Sequence, residues 1–134
     1  MGSIQVNLLL DTHIWLWWIN QNDQLTPQHQ DIIAQAENAY ISSISCWELV
    51  MLHQRNRIEL IEPLQEWVRS ALQNIVCLPL TETIAIQSAL LDFHHRDPAD
   101  RFIISTALIH DCQLMSFDEK FVLYPELENR LIGK

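Results

Sequence analysis

Glycine is almost missing from this chain: Gly2 and Gly133, one near each end, are all there is. Turns must therefore be made by Asn, Asp and Pro, and the sequence offers Asn20-Gln21-Asn22-Asp23, Asn56, Pro63, Pro79 and Pro125 for the purpose. Cysteine is scarce and unpatterned. Cys46, Cys77 and Cys112 are odd in number and contain no C-x-x-C pair, which argues against a zinc ribbon or a disulfide framework. Each lies in an apolar neighbourhood and reads as a buried free thiol. No apolar run approaches the roughly 20 residues that span a bilayer. The N-terminus has neither the basic region nor the small-residue cleavage site of a signal peptide. A soluble, cytoplasmic protein with no membrane contact is the expectation. Positive charge is also short: the formal net charge of −9 argues against a nucleic-acid binder that works by broad basic coverage. It does not exclude an enzyme whose acids hold cations, because a bound cation reverses the local field. Repeats, low-complexity tracts and linkers are absent.

What is present is a sizeable core. Hydrophobic residues make up 49% of 134 positions, enough for one domain spanning 1–134. Residues 4–10 read as a short apolar strand ended by Asp11, and 13–19 as a short aromatic helix. Thr26 caps a helix with Pro27 at its first position, running to about residue 37. Residues 39–42 read as a second strand. Ser42 or Ser43 can cap a helix over 44–54. Pro63 starts a helix to about residue 73, and 75–78 form a third strand stopped by Pro79. Thr81 opens a helix to about residue 93. Asp97-Pro98 opens the next, to about residue 110. Residues 113–116 form a fourth strand, and 121–124 a short fifth. Short strands apolar on both faces, alternating with helices, predict a mainly parallel central sheet covered on both sides.

Such sheets place ligands at the carboxyl ends of their strands. Asp11 and Asp118 each follow a strand, Glu48 lies early in a helix, and Asp97 and Asp100 open another helix. Magnesium and manganese prefer carboxylate and water oxygens. Gathered acids of this kind could hold one or two such ions for phosphodiester cleavage. Each acid also has a plainer reading. Asp11 and Asp118 serve as turn residues. Asp97 is an N-cap before a proline at the first helical position, and Asp100 suits the dipole of the same helix. Glu48 has the weakest alternative, because Cys46-Trp47-Glu48-Leu49-Val50 is otherwise apolar. The case rests on joint placement.

Four ordered blocks carry a resemblance. They are Leu8-Leu9-Leu10-Asp11-Thr12-His13 with Trp17, Ile41-Ser42-Ser43-Ile44-Ser45-Cys46-Trp47-Glu48-Leu49, Arg96-Asp97-Pro98-Ala99-Asp100-Arg101, and Leu114-Met115-Ser116-Phe117-Asp118 with Phe121. Together they resemble PIN-domain proteins, specifically the VapC-type toxin ribonucleases of bacterial toxin–antitoxin modules, over most of the chain. The resemblance implies a three-layer α/β/α fold and a Mg2+- or Mn2+-dependent endoribonuclease leaving 5′-phosphate and 3′-hydroxyl ends. By position, Asp11, Glu48, Asp100 and Asp118 match the family's acids. Asp97 matches the extra acid of one subgroup and either ligates metal or only caps. Thr12 and Ser116 match small hydroxyl residues that support the acids. The resemblance further implies an RNA substrate, a cognate antitoxin and a homodimer. Ala99 is smaller than the aromatic residue common there, Leu52 stands where some relatives carry lysine, and Asn56 where glycine is frequent.

Arg101 pairs with Asp97 or Glu48. Arg96 and Lys120 flank the acids, within reach of phosphates. Arg55 and Arg57 form a solvated helix end, and His94 and His95 an exposed loop. Trp15, Trp17 and Trp18 are core residues or the wall of a groove for a partner peptide. Two further functional readings stand beside the ribonuclease: a catalytically silent interaction module, and a nuclease acting on DNA.

Overall fold

The computed structural model describes residues 6–56, 58, 63–92 and 96–134. The strands are β1 (Asn7–Leu10), β2 (Asn38–Ser42), β3 (Val76–Leu78), β4 (Gln113–Met115) and β5 (Leu131–Ile132). They form one sheet in the order β3-β2-β1-β4-β5, parallel at every pairing. The helices are α1 (Thr12–Ile19), α2 (Pro27–Gln35), α3 (Ser43–Gln54), α4 (Leu64–Ala71), α5 (Glu82–Leu90) and α6 (Pro98–Ile109).

The central strand explains the layering. Leu8, Leu9 and Leu10 are all fully buried, because β1 has neighbours on both edges and helices on both faces. Burying each such side chain is worth about 1.5–3 kcal/mol. Successive side chains point to opposite faces. Leu8 and Leu10 join one core with Ile14, Trp15, Leu49 and Met115, while Leu9 joins the other with Ile103, Ile104 and Leu114. α1, α2 and α4 thus cover one face and α6 the other, with α5 packed against α6. α3 reaches both, with Leu49 in the first core and Ile44 against the second. This is the expected three-layer α/β/α arrangement. Trp15 also ties α1 to α4 by donating from Nε1 to the Ala71 carbonyl at 3.1 Å.

The caps follow the sequence. Thr26 Oγ1 accepts from His29 N, Ser42 Oγ from Ile44 N, and Thr81 Oγ1 from Ile84 N. Tight turns without glycine use left-handed residues: Asn56, Asn74, Asp111 and Asn129 all have positive φ, as does Gln21 at 52°. Asn and Asp tolerate that region best among residues with a Cβ.

One element differs from expectation. Residues 121–124 are not a strand. Glu119–Leu123 is a 3-10 helix, a second spans Pro125–Leu127, and the fifth strand is Leu131–Ile132, paired with β4. The reason is periodicity. Phe121, Tyr124 and Leu127 are buried at every third position, the period at which 3-10 side chains align, while Val122 and Leu123 face solvent. A strand would bury alternate residues. The expected first strand begins in residues that lie outside those described, and the helix from Thr81 stops at Leu90 rather than near residue 93, because Leu91 turns to extended backbone.

Candidate metal centre

In the sheet order, the chain leaves β1 toward β2 on one side and pairs it with β4 on the other. The crevice of a parallel sheet opens at such a reversal, at the carboxyl ends of the strands. Asp11 ends β1 there, its N–H continuing the ladder to the Met115 carbonyl of β4 at 3.0 Å. Ser116 follows β4 directly. Glu48 projects from α3, Asp97 and Asp100 stand at the start of α6, and Asp118 precedes the first 3-10 helix. All five acids line one cavity of about 380 Å3, together with Thr12, His13, Ile14, Trp17 and Phe117.

A hydrogen-bond web sets the orientation of these groups. Asp11 caps α1: Oδ1 accepts from Thr12 N at 2.7 Å, and Oδ2 accepts from Ser116 Oγ at 2.8 Å. Ser116 Oγ in turn accepts from Asp118 N at 3.1 Å, so one buried hydroxyl couples two acids. Thr12 Oγ1 donates to Glu48 Oε1 at 2.6 Å and stands 2.7 Å from Ser45 Oγ. Thr12 has a single hydroxyl proton, and a carboxylate only accepts. Ser45 is therefore the donor to Thr12, giving a relay Ser45 to Thr12 to Glu48. Asp97 Oδ1 accepts from Ala99 N, and Asp118 Oδ1 from Lys120 N, each capping the helix it precedes.

Crowding and burial work against ionisation. Burial raises the Asp11 carboxyl above its ordinary range, against the lowering effect of its bonds from Ser116 and Thr12. Burial also raises Glu48; the Thr12 hydroxyl and the charge of His13 oppose it, while Asp11 and Asp97 reinforce it. Asp100 is pushed to about 8, first by burial, then by repulsion from Asp11, Asp97, Glu48 and Asp118. Acids that disfavour each other's charge in one cavity suit a cation, which would remove the repulsion. Among the described residues, no three His, Cys, Asp or Glu side chains stand together at the spacing of a closed ligand shell. The acids ring a space instead. That arrangement fits an ion that keeps several waters better than a fully dehydrated one.

The remaining sequence readings divide. Arg101 is buried, and its guanidinium donates to the carbonyls of Leu91 at 2.7 Å and Ala89 at 3.3 Å, at the end of α5. It does not line the acids' cavity, and these bonds fasten α6 to α5. Arg96, Lys120 and Arg55 are exposed, and Arg57, His94 and His95 lie outside the described residues. Trp15 is core, whereas Trp17 and Trp18 are half-buried. Cys112 is buried, but Cys46 and Cys77 are only half-buried. Burial and the adjacent Cys77 push the Cys46 thiol up to about 12. Two contributors escaped sequence reasoning. Ser45 carries a signal, since it lies one helical turn before Glu48 on the same face. The proximity of His13 to the acids follows only from the tertiary structure.

Residues 8–127 match the family model of the PIN domain. Ribonuclease VapC22 of Mycobacterium tuberculosis is 30% identical over 114 residues, 84% of this chain and 88% of that protein. Two solved structures share the fold at lower identity. VapBC2 from Rickettsia felis, bound to a DNA fragment from its promoter, gives a TM-score of 0.73 at 19% identity, covering 96% of this chain and 98% of that one. DNA-bound VapBC from Salmonella typhimurium gives 0.70 at 16% identity, again covering 96% and 98%. With its sheet order, its ring of acids and a matched span that takes in every one of them, the chain belongs to the PIN domain family.

Proposed function

We propose that this chain is a Mg2+- or Mn2+-dependent endoribonuclease, the toxin of a bacterial type II toxin–antitoxin module. The observation that carries the reading is the convergence of five carboxylates, from four separate parts of the chain, on one cavity. Its likeness to a VapC ribonuclease supports RNA as the substrate. Asp11, Glu48, Asp100 and Asp118 would hold the cation, with Asp97 at the rim. When bound, the cation supplies positive charge to the scissile phosphate and acidifies water.

The chain's own residues do the rest. Ser116 and Thr12 N fix the two oxygens of Asp11, and Thr12 fixes Glu48, so the carboxylates meet substrate already oriented. Asp100, crowded by Asp11, Asp97, Glu48 and Asp118, is a carboxyl whose charged form a bound cation would favour. Hydrolysis forms a bond from water oxygen to phosphorus and breaks the bond to the 3′ oxygen, which takes up a proton. The reading includes a single nuclease domain, a cytoplasmic homodimer and a cognate antitoxin, the last supported by the VapBC complexes that share the fold. No helix among the described residues is long and apolar enough to cross a membrane.

The test is cleavage of a panel of structured and single-stranded RNAs and DNAs with Mg2+, with Mn2+, with EDTA, and by Asp11→Asn. RNA should be cut only with metal, and Asp11→Asn should lose at least about 100-fold in rate. Equal cleavage in EDTA, or none of any RNA, would reject the reading.

A further inference from the structure

One wall of the acids' cavity is aromatic. Trp17 and Phe117 line it with ring centroids 5.7 Å apart and planes tilted by 40°. His13 continues the row, 6.1 Å from Trp17 and tilted by 32°. At the other end Phe117 sits edge-on against His29, centroids 4.8 Å apart. His29 is itself pinned. Its Nε2 stands 2.9 Å from the Gly133 carbonyl, which can only accept, so Nε2 donates there, and its Nδ1 lies 2.7 Å from Thr26 Oγ1. The row is thus anchored at its buried end by α2 and the C-terminal segment, and ends in the exposed His13.

Core packing explains the anchored end. It does not explain why the row continues to an exposed imidazole beside five acids. Aromatic side chains cost little entropy to hold in place and stack on any base. We infer that Trp17, Phe117 and His13 form a stacking subsite for one nucleobase, next to the phosphate that the acids process. The inference rests on the ribonuclease reading for its substrate and adds the residues that grip the base. A paired base cannot present its face to such a wall, so the subsite selects unstacked nucleotides.

The geometry favours RNA over a partner peptide as occupant. The row shares its cavity with Asp11, Glu48 and Asp100, where a phosphodiester would be cut, and its outermost ring carries the only non-acidic titratable group among the lining residues.

The test measures binding, so it does not depend on turnover. The probe is a fluorescein-labelled oligouridine 12-mer, beside the same ribose-phosphate chain with every base removed, titrated with the full-length protein in Ca2+. Anisotropy should show the abasic chain binding about tenfold or more weakly. Phe117→Leu should bring oligouridine down toward the abasic value while leaving abasic binding unchanged. His13→Ala, at an exposed position that the fold does not need, should do the same in smaller degree. Equal affinity for the two chains, or binding of neither, would overturn the inference. So would variants that weaken both chains alike, or that lose only inhibition by the cognate antitoxin. Cleavage run in parallel with Mn2+ keeps the two readings apart. Base-dependent binding with no cleavage of any RNA in the panel rejects the nuclease alone, and cleavage that ignores the abasic substitution rejects the subsite alone.

Discussion

At the scale of the residue, the hydroxyls decide how the acids are presented. Thr12 is 2% exposed and holds Glu48 through a 2.6 Å bond, with Ser45 behind it. Thr12→Val keeps the shape of the side chain and removes the hydroxyl. Glu48 Oε1 and Ser45 Oγ then lose a partner where replacing it with water is difficult. Mutations of such supporting groups weaken metal sites by about 10–100-fold. Mn2+ affinity measured by calorimetry should fall by that factor, with the fold retained by circular dichroism. Unchanged affinity would show that the hydroxyl only fills space. Asp11, Asp100 and Asp118 were legible in the sequence because each follows a strand or opens a helix, and Glu48, midway along α3, because it interrupts an apolar segment. The hydroxyl web was only partly legible: Thr12 and Ser116 came from the resemblance. The link from Ser116 to Asp11 depends on how β1 and β4 pair, which no local pattern encodes.

At the scale of the element, α6 shows how one residue can serve two purposes. Asp97 caps the helix through Ala99 N at 3.0 Å and also lines the cavity. The sequence left open whether it ligates or caps. Substitution separates the two. Asp97→Asn keeps an acceptor oxygen and removes the charge, whereas Asp97→Ala removes both. Loss of a cap costs about 1 kcal/mol. Urea denaturation should therefore find Asp97→Ala destabilised by about that amount and Asp97→Asn close to wild type. A fall in cleavage by Asp97→Asn at unchanged stability would assign the charge to catalysis, and wild-type cleavage would assign Asp97 to capping alone. The segment after Asp118 carries the opposite lesson. Its apolar residues suggested a strand, but Phe121, Tyr124 and Leu127 recur every third position, and the Tyr124 hydroxyl ties that turn to the Asp92 carbonyl. Two-residue β5 is too short for any periodicity to announce it.

At the scale of the molecule, five of the seventeen acids that argued against a nucleic-acid binder line the one cavity where a cation would be needed. The cost is stability. Asp100 in the folded chain keeps its proton to about pH 8, whereas an ordinary carboxyl releases it near 3.8. Between those values the folded state binds more protons than the unfolded state. This contribution to stability is therefore full below about pH 4 and is lost as pH rises toward 8. Asp11 and Glu48 shift in the same direction. Metal-free protein should melt at lower temperature at pH 8 than at pH 5, and Mg2+ should restore much of the difference, because ligand binds only the folded state. Asp100→Asn should raise the metal-free melting temperature at pH 8 by about 5 °C while abolishing the response to Mg2+. A melting temperature lowered by Asp100→Asn would contradict mutual repulsion in the cavity.

The most direct measurement is anomalous diffraction from a crystal soaked in Mn2+. The account predicts a manganese peak inside the cavity, with oxygens of Asp11 and at least one of Glu48, Asp100 and Asp118 at about 2.1 Å or joined to it through one water. The peak should vanish in Asp11→Asn. Manganese found only on surface acids, with the cavity filled by water at full occupancy of the soak, would contradict the account at its centre.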